Sequence, residues 1–391
     1  MLMVTGVVFA LGAIQKAPCA SRSWVEDREG VSIQCYSDVA DLWRNEQLDG
    51  GRLPYLDPCE PSALRCDEYP VVSMYVMRLV GWLVPDAGDQ YRWFYWLNAA
   101  VLLVAALATT FLLEKLAART LLFAAAPVLA IYGTMNWDLI PVALSTFALV
   151  LLLDRHAAAS GALLGLGAAA KIYPALLVVP FGLQAQRRGG RGIRLAVAAG
   201  LAWLALNLPF AVVATEGWST FFRYNAERPA EYDSLWRVAC HLGACVPTPA
   251  INVLGLLLTA GLTVWLWRIR ISREPATATW ALAFPLLVLF VLTNKVWSPQ
   301  YALWLLPWFA LAAPAFKPFL AWQATEVVVY IARFDFFLDL ERGAPSYSFL
   351  AFAVVLRAAA LLWALAMWAR ANGEMVPASA RDGDLAARAV V

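Results

Sequence analysis

The apolar residues of this 391-residue chain come in blocks of roughly 14–23 separated by short polar breaks, and no other feature constrains the fold as tightly. A bilayer core takes about 20 helical residues to cross, so blocks of this length predict membrane-spanning helices. Composition agrees. Hydrophobic residues make up 61% and charged residues 15%, against about 45–50% and about 25% in a soluble domain, and mean hydropathy is +0.63. A soluble enzyme, a disordered chain and a disulfide miniprotein are excluded. The formal net charge of +2 is too small to suggest nucleic acid as a partner.

Apolar cores fall near 2–14, 91–113, 120–134, 139–153, 158–171 and 174–184. Others fall near 194–214, 250–267, 276–293, 300–313, 317–334 and 347–368. The expectation is an all-α polytopic membrane protein of about 12 transmembrane helices. One further run, 71–84, lies between Pro70 and Pro85 with Arg78 in its middle; it is expected to be a helix in the outer interface and not a span. With the N-terminus inside, Lys115 and Arg119 then fall in a cytoplasmic loop. So do Arg187, Arg188, Arg191 and Arg194, then Arg268, Arg270 and Arg273, and a tail carrying Arg370, Arg381 and Arg388. This is the positive-inside pattern; if 71–84 crossed, every one of those loops would flip outward. Residues 1–370 thus form one transmembrane domain with a first outer loop at about 15–90. Residues 371–391 are expected to be a disordered cytoplasmic tail, with both termini inside. The run 2–14 is thin for a first span, leaving a signal peptide or a misassigned start codon as alternatives.

Cys19, Cys35, Cys59 and Cys66 in the first loop, with Cys240 and Cys245 before the eighth span, all land on the outer face. Disulfides persist there. Up to three bridges are expected, with connectivity open.

The unusual polar clusters also emerge on the outer face. They are Cys35 to Val39, Glu68-Tyr69-Pro70, Asn136-Trp137-Asp138, Lys171 to Pro174, Arg223 to Trp236 with Arg228, Asp233 and Ser234, and Asn294 to Tyr301. Ionisable groups at span ends are costly and mark a site. No Cys/His set has zinc-ligand spacing, and there is no phosphate loop or nucleophile elbow. Carboxylates, a few cations and 18 Trp suit a sugar donor with a phosphate leaving group. One carboxylate takes the acceptor's proton, and cations stabilise the departing phosphate.

At these residues the chain resembles the integral-membrane glycosyltransferases of the GT-C superfamily, and within it the actinobacterial polyprenyl-phosphate-mannose-dependent α-mannosyltransferases of glycosyltransferase family 87. The most specific match is the N-K-x-x-S-P-Q-Y-x-x-W-x-x-P run from Asn294 to Pro307. Tyr36-x-Asp38 followed by Pro54-Tyr55 and Tyr69-Pro70, the Lys171-x-Tyr173-Pro174 turn, and Arg228 with Ser234-Leu235-Trp236 match in order. The departures are Val71, where many relatives have a second proline, and the cysteine-rich first loop. The resemblance implies a catalytic Asp in the first outer loop, interfacial helices after it, and a lipid-linked donor entering from the membrane.

Asp38 is thereby the expected base, over Asp41, Asp49, Asp57 and Asp67 in the same loop. Lys295, Lys171, Arg228 and Arg223 are candidates for the donor phosphate; each lysine has headgroup snorkelling as its alternative. Asp138, Asn136, Tyr69, Asn294, Gln300, Tyr301, Trp297 and Asp233 are candidates for acceptor or substrate contacts. Asp138 is equally readable as a helix cap, Asp233 as an ion-pair partner of the arginines, and Trp297 and Trp304 as interface-belt residues. His241 reads as a structural loop residue, His156 as a cytoplasmic turn, and Arg357 as half of a buried pair or as a snorkelling side chain. No cofactor is required by the residues, and a divalent metal stays open. The expected partners are a polyprenyl-phosphate sugar donor, an envelope glycan or glycolipid acceptor and membrane lipid. The alternatives are a decaprenyl-phosphate arabinofuranosyltransferase and, outside the class, a polyprenyl transporter or flippase. The flippase reading predicts internal repeats and midplane charges, which the sequence does not show.

Overall fold

The computed structural model describes residues 1–21, 31–60, 66–312, 315–343 and 345–371, and these are helical with no strand among them. The expected tail lies almost wholly outside the described residues. Five helices are long and apolar enough to cross a membrane: Leu2–Cys19, whose α-helical part is α1 (Leu2–Lys16), α4 (Gln90–Lys115), α10 (Gly192–Val213), α13 (Thr248–Arg273) and α17 (Ser348–Arg370). The count of about 12 spans is not reproduced. Between the long helices stand the shorter α5 (Leu121–Ala124), α6 (Pro127–Tyr132), α7 (Leu139–Leu153), α8 (Ala157–Ala170), α9 (Pro174–Arg187), α14 (Ala283–Thr293) and α15 (Ala302–Ala312). The 26-residue α16 (Phe316–Glu341) carries too many charges to count with the five.

Several departures from the expected spans have simple causes. The run 120–134 is broken into α5 and α6 where Ala126, before Pro127, is held extended at ψ 127°; proline disfavours the α conformation in its predecessor. Helix α16 runs beyond 334 because Phe336 remains buried at its far end. Helix α1 belongs to the bundle: a Cβ on Gly12 would lie 1.8 Å from the Ala130 carbonyl oxygen of α6. The run 71–84 forms α3 (Val71–Gly81), whose 11 residues span about 16 Å at 1.5 Å per residue. That is too short to cross. Its Ser73 hydroxyl donates to the Ala170 carbonyl at the end of α8, 2.7 Å away.

Helices α8 and α10 also meet backbone to backbone. A Cβ on Gly161 or Gly165 would sit 2.1 or 2.2 Å from the carbonyl oxygens of Leu195 and Ala199. Small residues let helices meet backbone to backbone where no hydrophobic effect drives them together. The opposite face of α10 stays apolar and exposed, with Val197 at 53% and Leu201 at 61%, as a lipid-facing surface requires.

Candidate active site

The first loop is built before any site can exist. Short helix α2 (Asp38–Asn45) is capped by Ser37, whose side chain accepts from the Val39 N–H at 3.2 Å and donates to the Thr134 carbonyl at 2.6 Å. Asp38 is therefore presented at a helix start fastened to the α6–α7 turn. The cysteines pair Cys19–Cys35, Cys59–Cys66 and Cys240–Cys245, which closes the connectivity left open by the sequence. The first ties the end of α1 to the segment leading into Asp38.

A cavity of about 530 Å³ opens beside this loop. Its lining joins Asp38, Glu68 and Tyr69 to Lys171, Arg228, Asn294, Lys295, Gln300, Tyr301 and Trp304. These residues come from five separate stretches of chain, and all but Glu68 and Trp304 are among the site candidates named from the sequence. The Tyr69 hydroxyl donates to Asp38 Oδ2 at 2.9 Å. Burial lifts the Asp38 carboxyl above the ordinary aspartate range; hydrogen bonds from Tyr69 and Tyr36 and the charges of Lys171 and Arg333 pull it partly back. A raised carboxylate is a better proton acceptor than a free one.

The cations are held differently. Lys171 ends α8 in an extended conformation, and its Nζ lies 3.0 Å from Asp138 Oδ1 and 4.8 Å from the centre of the Tyr69 ring. Asp138 Oδ2 accepts from the Trp304 indole at 2.9 Å. That indole is stacked between Tyr173 and Tyr301, with ring centres 4.3 and 3.8 Å away. Asp138 makes no side-chain cap on α7, so the capping alternative fails. It lies behind Lys171, with its N–H held by Asn136 Oδ1 at 3.0 Å. Arg228 follows α11 (Thr215–Glu227), pairs with Glu231, and lies 4.8 Å from the centre of the Tyr224 ring. Lys295 donates to the Ala226 carbonyl at 2.9 Å, with no carboxylate at ion-pair distance among the described residues. Burial, with the nearby Arg228 charge, lowers its ammonium to about 8.

Besides Asp138, four expected residues do not line the cavity. Arg223 is exposed on α11, bonded to its own helix through the Glu216 carbonyl at 3.3 Å, because Phe221, Phe222, Tyr224 and Asn225 take the cavity face. Asp233 pairs with Arg333 of α16, not with Arg223 or Arg228, and its backbone carbonyl accepts from Arg357 at 2.8 Å. Trp297 is buried beneath Arg357, 3.6 Å from the guanidinium. Arg357 also lies 3.6 Å from Glu326, the buried pair expected of it. Asn136 stays buried behind Asp138. His241 stacks edge-on against Tyr347 at 5.0 Å.

The aromatic and amide wall formed by Phe221, Phe222, Asn225, Asn252 and Phe290 was not singled out in the sequence. The only signal was that α11 reads as amphipathic between two apolar runs. Among the described residues no three His, Cys, Asp or Glu side chains gather as metal ligands. The cavity's two carboxylates are Asp38 and Glu68.

Fold and cavity together define a polytopic all-helical membrane protein with an acid, several cations and stacked aromatic rings converging on one chamber. The model of glycosyltransferase family 87 matches residues 68–293, more than half of the chain, and the chain belongs to that family. The match takes in Tyr69, Asp138, Lys171 and Arg228; Asp38 and the run from Asn294 lie outside it. Among solved structures the chain is similar to ArnT from Cupriavidus metallidurans bound to undecaprenyl phosphate. Identity there is 16% over 85% of this chain and 71% of that one, with a TM-score of 0.45. No curated protein matches.

Proposed function

We propose that this membrane glycosyltransferase moves mannose from a polyprenyl-phosphate donor to an envelope glycolipid or polysaccharide on the outer face, with inversion. The carrying observation is the shared cavity: Asp38, raised by burial and held by Tyr69, lines the same chamber as the cations Lys171, Lys295 and Arg228.

In this reaction Asp38 accepts the proton of the acceptor hydroxyl as its oxygen attacks the anomeric carbon. The bond from that carbon to the phosphate oxygen breaks, and the polyprenyl phosphate leaves with both electrons. Phosphate needs no proton to leave, only cations aimed at its developing charge. Lys295 supplies two donors beyond its bond to Ala226, and Arg228 adds a guanidinium steadied by Glu231 and Tyr224. Lys171, neutralised by Asp138, orients more than it attracts. One carboxylate acting directly gives inversion, because no covalent sugar–enzyme intermediate forms. The apolar stretch of lining, Ile251, Leu256 and Phe290, suits the isoprenoid chain.

The test is transfer by purified protein supplied with decaprenyl-phospho-mannose or decaprenyl-phospho-arabinose and a mixed envelope-glycolipid acceptor. The product anomer is read by NMR. Mannose transfer with inversion supports the reading. Transfer of arabinose alone would replace the sugar, a retained configuration would replace the mechanism, and transfer from neither donor contradicts the donor class.

A further inference from the structure

Glu68 is the one charged group of the cavity with no part in proton transfer or phosphate binding, and the loop around it is unusually well fixed. Buried Glu46 accepts the N–H of Asp67 at 2.7 Å and of Glu68 at 3.1 Å. Arg52 holds Asp67 Oδ2 at 2.6 Å, and the Tyr55 N–H donates to Asp67 Oδ1 at 2.9 Å. The Tyr55 hydroxyl donates to the Tyr69 carbonyl at 2.6 Å, and Cys66 is bridged to Cys59. Tyr55 and Asp67 both adopt the left-handed region, at φ 65° and 61°. Non-glycine residues there are strained and persist where the surroundings over-determine them. The reversal at Asp67 sends that carboxylate into the loop's interior while the next side chain, Glu68, lines the cavity.

Resting on the function proposed above, we infer that Glu68 reads the transferred sugar, its carboxylate accepting hydrogen bonds from hydroxyls of the donor glycosyl group. A phosphate is repelled by a carboxylate, so Glu68 has no place at the Lys295–Arg228 wall. A sugar ring presents the hydroxyl donors that an acceptor-only group requires. The sugar must lie between the phosphate cations and the base, and Glu68 shares its loop with Tyr69, which bonds that base. A carboxylate on a fixed backbone can discriminate by hydroxyl, because a ligand lacking the donor forgoes that bond.

The experiment measures binding by intrinsic tryptophan fluorescence of full-length protein in detergent. The ligands are farnesyl phosphate and the same lipid carrying mannose or arabinose, and the proteins are wild type, Glu68→Gln, Glu68→Ala and Arg228→Gln. Both Glu68 variants should lose roughly 10–100-fold in affinity for the sugar-bearing lipid, the range for hydrogen bonds to a charged group. They should bind the bare phosphate lipid as wild type does. Arg228→Gln should weaken both ligands. Equal loss of both ligands in the Glu68 variants would make Glu68 structural and overturn the inference, as would no loss of either. Wild type binding sugar-bearing and bare lipid equally would also overturn it. Wild type binding neither lipid overturns the donor reading itself, a failure separable from that of Glu68.

Discussion

Lys171 and Asp138 form a 3.0 Å ion pair between two helix junctions, the end of α8 and the start of α7, with the Asp138 side chain only 1% exposed. Asp138 in turn fixes the Trp304 indole, so one carboxylate couples a cavity cation to the aromatic stack. Removing one partner of a buried pair leaves an uncompensated charge and costs about 3–5 kcal/mol. Lys171→Met should therefore lower stability more than the double variant Lys171→Met/Asp138→Asn, which leaves no charge behind. Thermal unfolding in detergent checks the order, and an additive double variant would contradict the coupling.

Activity should follow a bell-shaped pH profile. The acid limb reports Asp38, which must be ionised to accept a proton; its raised pKa places that limb above the ordinary aspartate value of 3.8. The alkaline limb reports Lys295, whose charge is lost as pH rises through about 8. Lys295→Arg, always protonated, should carry the alkaline limb upward in kcat/KM against pH.

Tyr69→Phe removes a donor that stabilises the ionised form of Asp38. Asp38 should then titrate higher, so the acid limb of the same profile moves to higher pH. A fall in rate with an unmoved limb would make Tyr69 a packing residue only.

Gly217 of α11 packs on the first-loop frame so closely that a Cβ would lie 2.7 Å from the Tyr55 carbonyl oxygen and 3.2 Å from Asp67 Oδ2. Gly217→Val should push α11, which leads into Arg228, away from that frame. The measurable outcome is a donor KM raised several-fold with the protein still folded, against a control such as Gly200→Val, where nothing lies within 4 Å.

Much of the cavity was legible because its residues interrupt apolar runs. Lys171, Asn294 and Lys295 stand out against runs that otherwise exclude charge. Pairing was not legible. Asp233 lies five residues from Arg228 but pairs with Arg333, 100 residues on, because the packing of α16 decides it. Nor was Arg223 separable from Arg228: one faces out of an amphipathic helix and the other follows its last turn. The broken run 120–134 had its signal in Pro127, but hydropathy alone smooths across a single proline.

Asp38 is the proposed base, and the most direct measurement compares sugar transfer by wild type and Asp38→Asn with decaprenyl-phospho-mannose. Asp38→Asn should lose about 10²–10⁴ in kcat, the worth of a positioned general base, with the melting temperature and donor affinity retained. Transfer by Asp38→Asn at the wild-type rate would contradict this assignment and move the base to another carboxylate.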